Sequence, residues 1–141
     1  MSNLKQRAID ILENEWAEYI ERFEKIENKD QFLKENGVNS FRELLGHIIA
    51  WWEVGARIIL GVVQDPNFQY EEPETDKFNA ELMEKYSKLS DDTVRNEYES
   101  KRQDMIKLMK DLPQDAFSNP VVEEWITADV VEHFDDHAIN G

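Results

Sequence analysis

The segment LLGHIIAWWEVGARIILGVV, residues 44–63, constrains the fold most, because it is apolar on nearly every side of a helix. Ser40 and Glu43 stand just before it at the spacing of a capping box, in which the two side chains satisfy each other's backbone amides. The pattern therefore predicts a helix over about residues 41–63. A helix that is apolar all round has to be buried, so we expect it at the centre of the fold or against a partner.

Three polar residues, His47, Glu53 and Arg57, interrupt this segment. A charge at the centre of a bilayer costs a spanning helix a few kcal/mol, so we interpret the segment as a buried helix and not as a membrane span. Glu53 and Arg57 stand one helical turn apart, and we expect them to form an ion pair.

Hydrophobic residues at three- and four-residue steps predict three further helices. The first covers about residues 3–27 and is followed by a polar connection up to Gly37. The next follows an acidic, proline-containing connection and continues after a break at LSDD, residues 89–92. The last helix is predicted to have Thr127 as its N-cap and Asp129 in its first turn, where the helix dipole favours an acid.

The composition agrees with a folded, helix-rich chain: 40% of the 141 residues are hydrophobic and 33% are charged. No strand pattern or internal repeat competes with the helices. Four principal helices predict an all-α fold, a four-helix bundle, and we expect residues 1–141 to form a single domain.

Charge and cysteine content exclude several classes of function. The 31 acidic and 16 basic residues give a net charge of -15, and the basic residues form no patch, so we expect no nucleic-acid partner. The chain has no cysteine, which excludes disulfides, thiolate nucleophiles and cysteine-based metal sites. The N-terminal segment MSNLKQRAIDILENEW turns acidic where a signal peptide would be apolar, and we expect a cytoplasmic protein.

The chain's three histidines are His47, His133 and His137. A helix stacks the imidazoles of His133 and His137 on one face, which suits two positions on a single metal ion. His47 stands on the buried helix, and ligands from facing helices of a bundle can converge. Three imidazoles would leave an open coordination position. The alternative is that all three are ordinary structural histidines.

Two acids and one aromatic residue are further candidates for the site. Asp129 stands one turn before His133 and could orient it as a supporting carboxylate, although a role as a first-turn helix acid is the favoured interpretation. Glu53 lies on the buried helix and could approach the site. Trp51, one turn after His47, could line a pocket beside it. Asp129 and Glu53 are therefore the candidates for a catalytic acid or base, and Trp51 the candidate for the pocket.

The segments GVNSFRELLGHIIAWWE (37–53) and VEEWITADVVEHFDDHA (122–138) together resemble the DinB/YfiT-like superfamily of four-helix-bundle proteins. The resemblance covers nearly the whole chain. It implies that His47, His133 and His137 bind one divalent metal, for which zinc, nickel and iron are all suitable. Characterised relatives include thiol-dependent S-transferases and isomerases, and others are described as metal-dependent hydrolases. The implied activity is S-transfer, with a low-molecular-weight thiol as co-substrate, or hydrolysis of a small molecule.

Two alternatives stay open. The ClbS/DfsB branch of the same superfamily implies a metal-free bundle that binds or detoxifies a small reactive metabolite. A non-enzymatic, stress-related dimer would use the apolar helix as its interface. We expect a homodimer, which is compatible with every interpretation. Only four residues follow His137 in the sequence, so the last helix is expected to hold this ligand weakly unless the metal itself stabilises the turn.

Overall fold

The computed structural model describes residues 4–137, apart from the side chains of residues 135 and 136. Within this range every regular element is helical, which confirms the all-α prediction. The six helices are α1 (residues 4–25), α2 (Lys29–Glu35), α3 (Phe41–Gln64), α4 (Thr75–Ser87), α5 (Asp91–Asp111) and α6 (residues 120–136). A short 3₁₀-helix, Gln114–Ser118, precedes α6.

Helix α3 occupies the centre of the bundle and packs against α4, α5 and α6. Leu44, Leu45, Ile48 and Ile49 are completely buried on it. By length and composition α3 could also cross a membrane, but 56% of its most apolar window is buried inside the fold. The prediction that the apolar segment forms a central helix is therefore confirmed.

The predicted capping box begins α3 with one difference in its hydrogen bonds. The Ser40 hydroxyl oxygen accepts from the backbone N–H of Glu43 at 3.4 Å, as predicted. The Glu43 carboxylate accepts from the Ser40 hydroxyl at 2.8 Å, instead of from the Ser40 backbone N–H.

The polar connection after α1 contains a short helix that the sequence pattern did not predict. Asn28 caps the start of α2, because its side-chain oxygen accepts from the backbone N–H of Gln31 at 3.0 Å. Gly37 ends it with a φ of +71°, a left-handed conformation that favours glycine. This turn places Asn36, the last residue before the glycine, beside His137.

The break at LSDD is a reversal of chain direction and not an interruption of one helix. Phe78 lies against Trp51, with ring centroids 5.1 Å apart, whereas Arg42 donates to the carbonyl of Ser87 at 3.3 Å. Helix α4 therefore runs antiparallel to α3. Arg42 also pairs with Asp91 at 3.2 Å, so α5 begins at the same end of α3. Helices α4 and α5 form an antiparallel pair that packs on α3.

The last helix begins eight residues earlier than predicted. Asn119, and not Thr127, is the N-cap, because its side-chain oxygen accepts from two backbone N–H groups at 2.9 and 3.4 Å. Pro120 follows as the first helical residue, where its fixed φ favours a helix and its missing N–H costs nothing. Asp129 consequently lies well inside α6, so the prediction that it is a first-turn acid is wrong.

Candidate metal centre

The structure brings the three predicted histidines together. The ring centroid of His47 lies 5.0 Å from that of His133 and 5.2 Å from that of His137, and the latter two are 4.8 Å apart. One ring nitrogen from each residue lies within 4.8 Å of the other two. His47 comes from α3, and the other two come from the end of α6 and the turn directly after it. Two facing helices thus converge on one point, as the sequence predicted.

A π-helical segment in α6, Thr127–Glu132, immediately precedes His133. Single π-helical turns inside α-helices are rare and frequently occur at functional sites. Two buried indole N–H groups bind backbone carbonyls of this segment at 3.1 Å, from Trp52 to Asp129 and from Trp16 to Val130. These bonds attach the irregular turn to α3 and α1, and they set the position from which His133 projects.

Burial keeps the imidazoles of His47 and His133 neutral. The pKa of His47 is lowered to about 4, mainly by burial and also by the nearby His137, while the side chain of Asn79 opposes the shift. The pKa of His133 is also well below its usual value, mainly because of burial and also because of the other two histidines. A neutral imidazole carries the lone pair that a metal requires, so both rings are ready to act as ligands at neutral pH.

His133 has an unsatisfied nitrogen atom. Its side chain is 8% exposed, and its Nδ1 is buried without a hydrogen-bond partner. The backbone carbonyl of Asp129 favours the protonated ring, but it does not complete a hydrogen bond to Nδ1. Because leaving a buried polar atom unsatisfied is costly, such atoms often mark a site for an ion or a water molecule.

His137 is held by two residues from the first part of the chain. Tyr19 donates from its phenol to the backbone carbonyl of His137 at 2.7 Å. The Nδ1 atom of His137 lies 2.5 Å from the side-chain oxygen of Asn36. Its backbone N–H also continues the helical pattern, with a 3.2 Å bond to the carbonyl of His133. The short last turn is therefore anchored by other elements, which the expectation of a weakly held ligand did not consider.

Trp51 lies beside His47, with ring centroids 6.5 Å apart. Its indole N–H binds the side-chain oxygen of Asn79 at 2.9 Å, and Phe78 packs edge-on against it. This arrangement gives one flank of the histidine cluster an aromatic surface. The role of Trp51 as a pocket residue stays a prediction.

Among the described residues, neither candidate acid joins the three histidines in the group that could hold a metal. Asp129 Oδ2 is buried without a partner and packs so closely on Gly55 that a Cβ there would lie 2.2 Å from it. Burial raises the pKa of the Asp129 carboxyl well above its usual value, which favours its neutral form. Glu53 pairs with Lys101 at 3.1 Å, and not with Arg57 as expected.

The helix geometry around each acid explains where its carboxyl group lies. An acid four residues before His133 would stack beneath it in an α-helix, but the π-helical segment has a wider turn. The Asp129 carboxyl is therefore rotated towards α3. Glu53 lies six residues after His47, on a different side of α3, where α5 supplies a lysine.

Three residues that contact the histidine cluster could not be found from the sequence pattern: Tyr19, Asn36 and Asn79. Each is distant in sequence from the histidine that it contacts, and no local pattern connects the two. The Asn-Gly dipeptide at 36–37 is a recognised signal of a helix end, but it does not predict the contact with His137.

The donor set fits a divalent transition metal. Imidazole suits zinc, nickel and iron, and two nitrogens on one tetrahedral zinc ion are roughly 3.3 Å apart. One nitrogen from each of the three histidines lies within 4.8 Å of the other two, so the group could hold one ion. The buried, unsatisfied Nδ1 of His133 and the depressed pKa values of His47 and His133 agree with this fit.

The comparisons with known proteins identify the family. A comparison with family models matches residues 11–139 to the DinB superfamily, a range that includes all three histidines. Neither the comparison with curated proteins nor that with solved structures gives a match. Because the matched range covers nearly the whole chain and the fold is an all-α bundle, this protein belongs to the DinB superfamily.

Proposed function

We propose that this protein binds one divalent transition metal through His47, His133 and His137 and transfers a small thiol to an electrophilic small molecule. The observation that supports the proposal is the convergence of three imidazoles, with one nitrogen from each within 4.8 Å of the others. Three protein ligands are typical of catalytic metal sites, because they leave a coordination position for a substrate.

The chemistry follows from the neutral ligands. A divalent ion held by three neutral imidazoles would supply its full charge to a bound thiol, which favours the thiolate, or to a bound water. The chain has no cysteine, so the reacting sulfur must come from a low-molecular-weight thiol. Trp51 and Phe78 offer an apolar flank beside His47 for an electrophilic co-substrate.

Hydrolysis is the second candidate, and the placement of the acids makes it less favoured. Hydrolysis commonly uses a side-chain base to orient and deprotonate water. Of the predicted bases, Asp129 is directed at Gly55 and Glu53 is paired with Lys101. A thiol needs less assistance, because its ordinary pKa is far closer to neutrality than that of water.

The test begins with elemental analysis of protein purified without a histidine tag and reconstituted in turn with zinc, nickel and iron. The parent is expected to hold about one ion, and the double variant His133→Ala/His137→Ala is expected to hold none. Glu53→Gln is the matched control, because it removes a charge from α3 without touching the histidines. Loaded parent is then assayed for metal-dependent consumption of glutathione, bacillithiol or mycothiol with a reactive electrophile.

Each outcome separates the candidates. Stoichiometric metal with thiol transfer that is lost in the double variant supports the proposal. Stoichiometric metal with hydrolysis of model esters or amides, but no thiol transfer, replaces it with the second candidate. A parent that binds none of the three ions contradicts it and leaves the metal-free, ClbS/DfsB-like binding protein.

A further inference from the structure

We propose that Asn36 is a positioning residue that fixes the tautomer of His137, with the proton on Nδ1 and the lone pair on Nε2. The inference rests on the proposed metal site, for which it names the coordinating nitrogen of one ligand. Its starting point is the 2.5 Å contact between Nδ1 of His137 and the side-chain oxygen of Asn36, two residues separated by 101 positions in the chain.

The orientation of the Asn36 amide is set by a second bond. Its Nδ2 donates to the backbone carbonyl of Phe32 at 2.8 Å. Turning the amide over would point its oxygen at that carbonyl and its NH₂ group at the histidine, so the Phe32 bond would be lost. The side-chain oxygen therefore faces His137. Because an amide oxygen only accepts hydrogen bonds, Nδ1 of His137 must carry the proton.

The backbone around Asn36 makes this support rigid. Asn36 is the C-cap of α2, and its own N–H bonds to the carbonyls of Phe32 and Leu33 at 3.2 and 3.1 Å. Gly37 then turns the chain with its positive φ. The acceptor is thus held by a closed helix end and not by a flexible loop, and it is partly buried.

The consequence for the proposed site is chemical as well as geometric. A hydrogen bond to one ring nitrogen directs the other nitrogen to the metal and orients the ring. An amide acceptor does this without adding a negative charge, in contrast to the carboxylates that often support histidine ligands. The ion would keep more of its charge for the substrate, which agrees with activation of a thiol.

The test measures the tautomer directly in metal-free protein at pH 8, by long-range ¹H–¹⁵N correlation of the imidazoles. The chain has only three histidines, and a His137→Gln variant assigns the signals of this residue. The expected result for the parent is a protonated Nδ1. Asn36→Ala removes the acceptor and is expected to populate the Nε2–H form. Asn36→Asp keeps an acceptor and is expected to retain Nδ1–H.

Asn39→Ala is the matched control, because Asn39 is an exposed asparagine in the same connection. It is expected to leave the tautomer unchanged. A parent with the proton on Nε2 overturns the proposal without any variant. An Asn36→Ala protein that keeps Nδ1–H overturns it as well. If Asn36→Ala does not fold, the tautomers of His137 in the parent and in Asn36→Asp provide the test. A proton on Nε2 of His137 in Asn36→Asp contradicts the proposal.

Zinc affinity, measured by competition with a chromogenic chelator, separates this inference from the proposed function. Loss of such a supporting bond commonly weakens metal binding about 10- to 100-fold, so we expect at least a tenfold loss in Asn36→Ala and none in Asn39→Ala. A parent that binds no metal contradicts the proposed function, whereas the tautomer measurement still tests Asn36. Unchanged zinc affinity in Asn36→Ala contradicts its positioning role even if the metal site exists.

Discussion

The phenol of Tyr19 donates a 2.7 Å hydrogen bond to the backbone carbonyl of His137, so the first helix directly holds the residue at the end of the described chain. Tyr19 is completely buried, and burial raises the pKa of its phenol above the ordinary value, so the group remains a donor at neutral pH. The last turn thus depends on a residue 118 positions earlier in the sequence.

Replacing this donor is expected to weaken the site. Tyr19→Phe removes one buried hydrogen bond, which should lower the free energy of unfolding by about 1 kcal/mol. Because the lost bond holds His137, zinc affinity should also fall several-fold in a chelator competition. The control is Tyr86→Phe, whose hydroxyl binds Glu97 at 3.0 Å on another part of the bundle. Equal zinc affinities for the two variants would contradict the anchoring role.

The buried carboxyl group of Asp129 is expected to lower the free energy of unfolding at neutral pH. The folded-state pKa of Asp129 is raised, so its neutral form has to lose its proton on unfolding, and stability falls as pH rises from about 4 through the folded-state pKa. Asp129→Asn should therefore raise the free energy of unfolding at pH 8, and raise it by less at pH 4.5. Urea denaturation of the parent and the variant at the two pH values measures the difference in their free energies of unfolding.

The same variant tests the catalytic assignment of Asp129. Its carboxyl packs against Gly55 and not against His133, so zinc affinity of Asp129→Asn should stay within about twofold of the parent. A large loss of zinc binding would show that the carboxyl supports the histidines after all.

Gly55 is expected to tolerate no side chain. A Cβ there would lie 2.2 Å from Asp129 Oδ2 and 3.5 Å from a ring carbon of Trp125, and overpacking of this kind typically costs 1–3 kcal/mol, so we expect about 2 kcal/mol for Gly55→Ala. The cost should shrink in an Asp129→Ala background, which removes the obstructing carboxyl. A double-mutant cycle by urea denaturation measures the coupling. Additive effects would mean that the two residues do not compete for this space.

Metal-free protein is expected to lose stability in mild acid. The pKa of His47 is about 4 in the fold and about 6.5 when unfolded, so the unfolded chain binds the extra proton first. Stability is complete above about pH 6.5 and is lost as pH falls towards 4, by up to about 3 kcal/mol from this group. The free energy of unfolding should be measured between pH 7.5 and 4.5 for the chelator-treated parent and for His47→Gln. It should fall less steeply with falling pH in the variant. Parallel curves would contradict the buried, neutral state of His47.

The position of the central helix could be predicted from the sequence because hydrophobic patterning is local information. Residues 44–63 have no polar face, and such a helix can only be buried, which is where α3 lies. The reversal between α4 and α5 could not be predicted in this way. The break at LSDD is compatible with a kink or a hairpin, and only packing against α3 selects one of them.

For the site, the sequence by itself determined which side chains can bind a metal. The chain has three histidines and no cysteine, and the four-residue spacing of His133 and His137 places both on one helical face. The tertiary structure decided what surrounds them. The π-helical segment turned Asp129 towards Gly55, and Tyr19 and Asn36 came to hold His137 across more than 100 residues. Ligand spacing is a property of one helix, whereas the supporting contacts arise only when separate helices pack together.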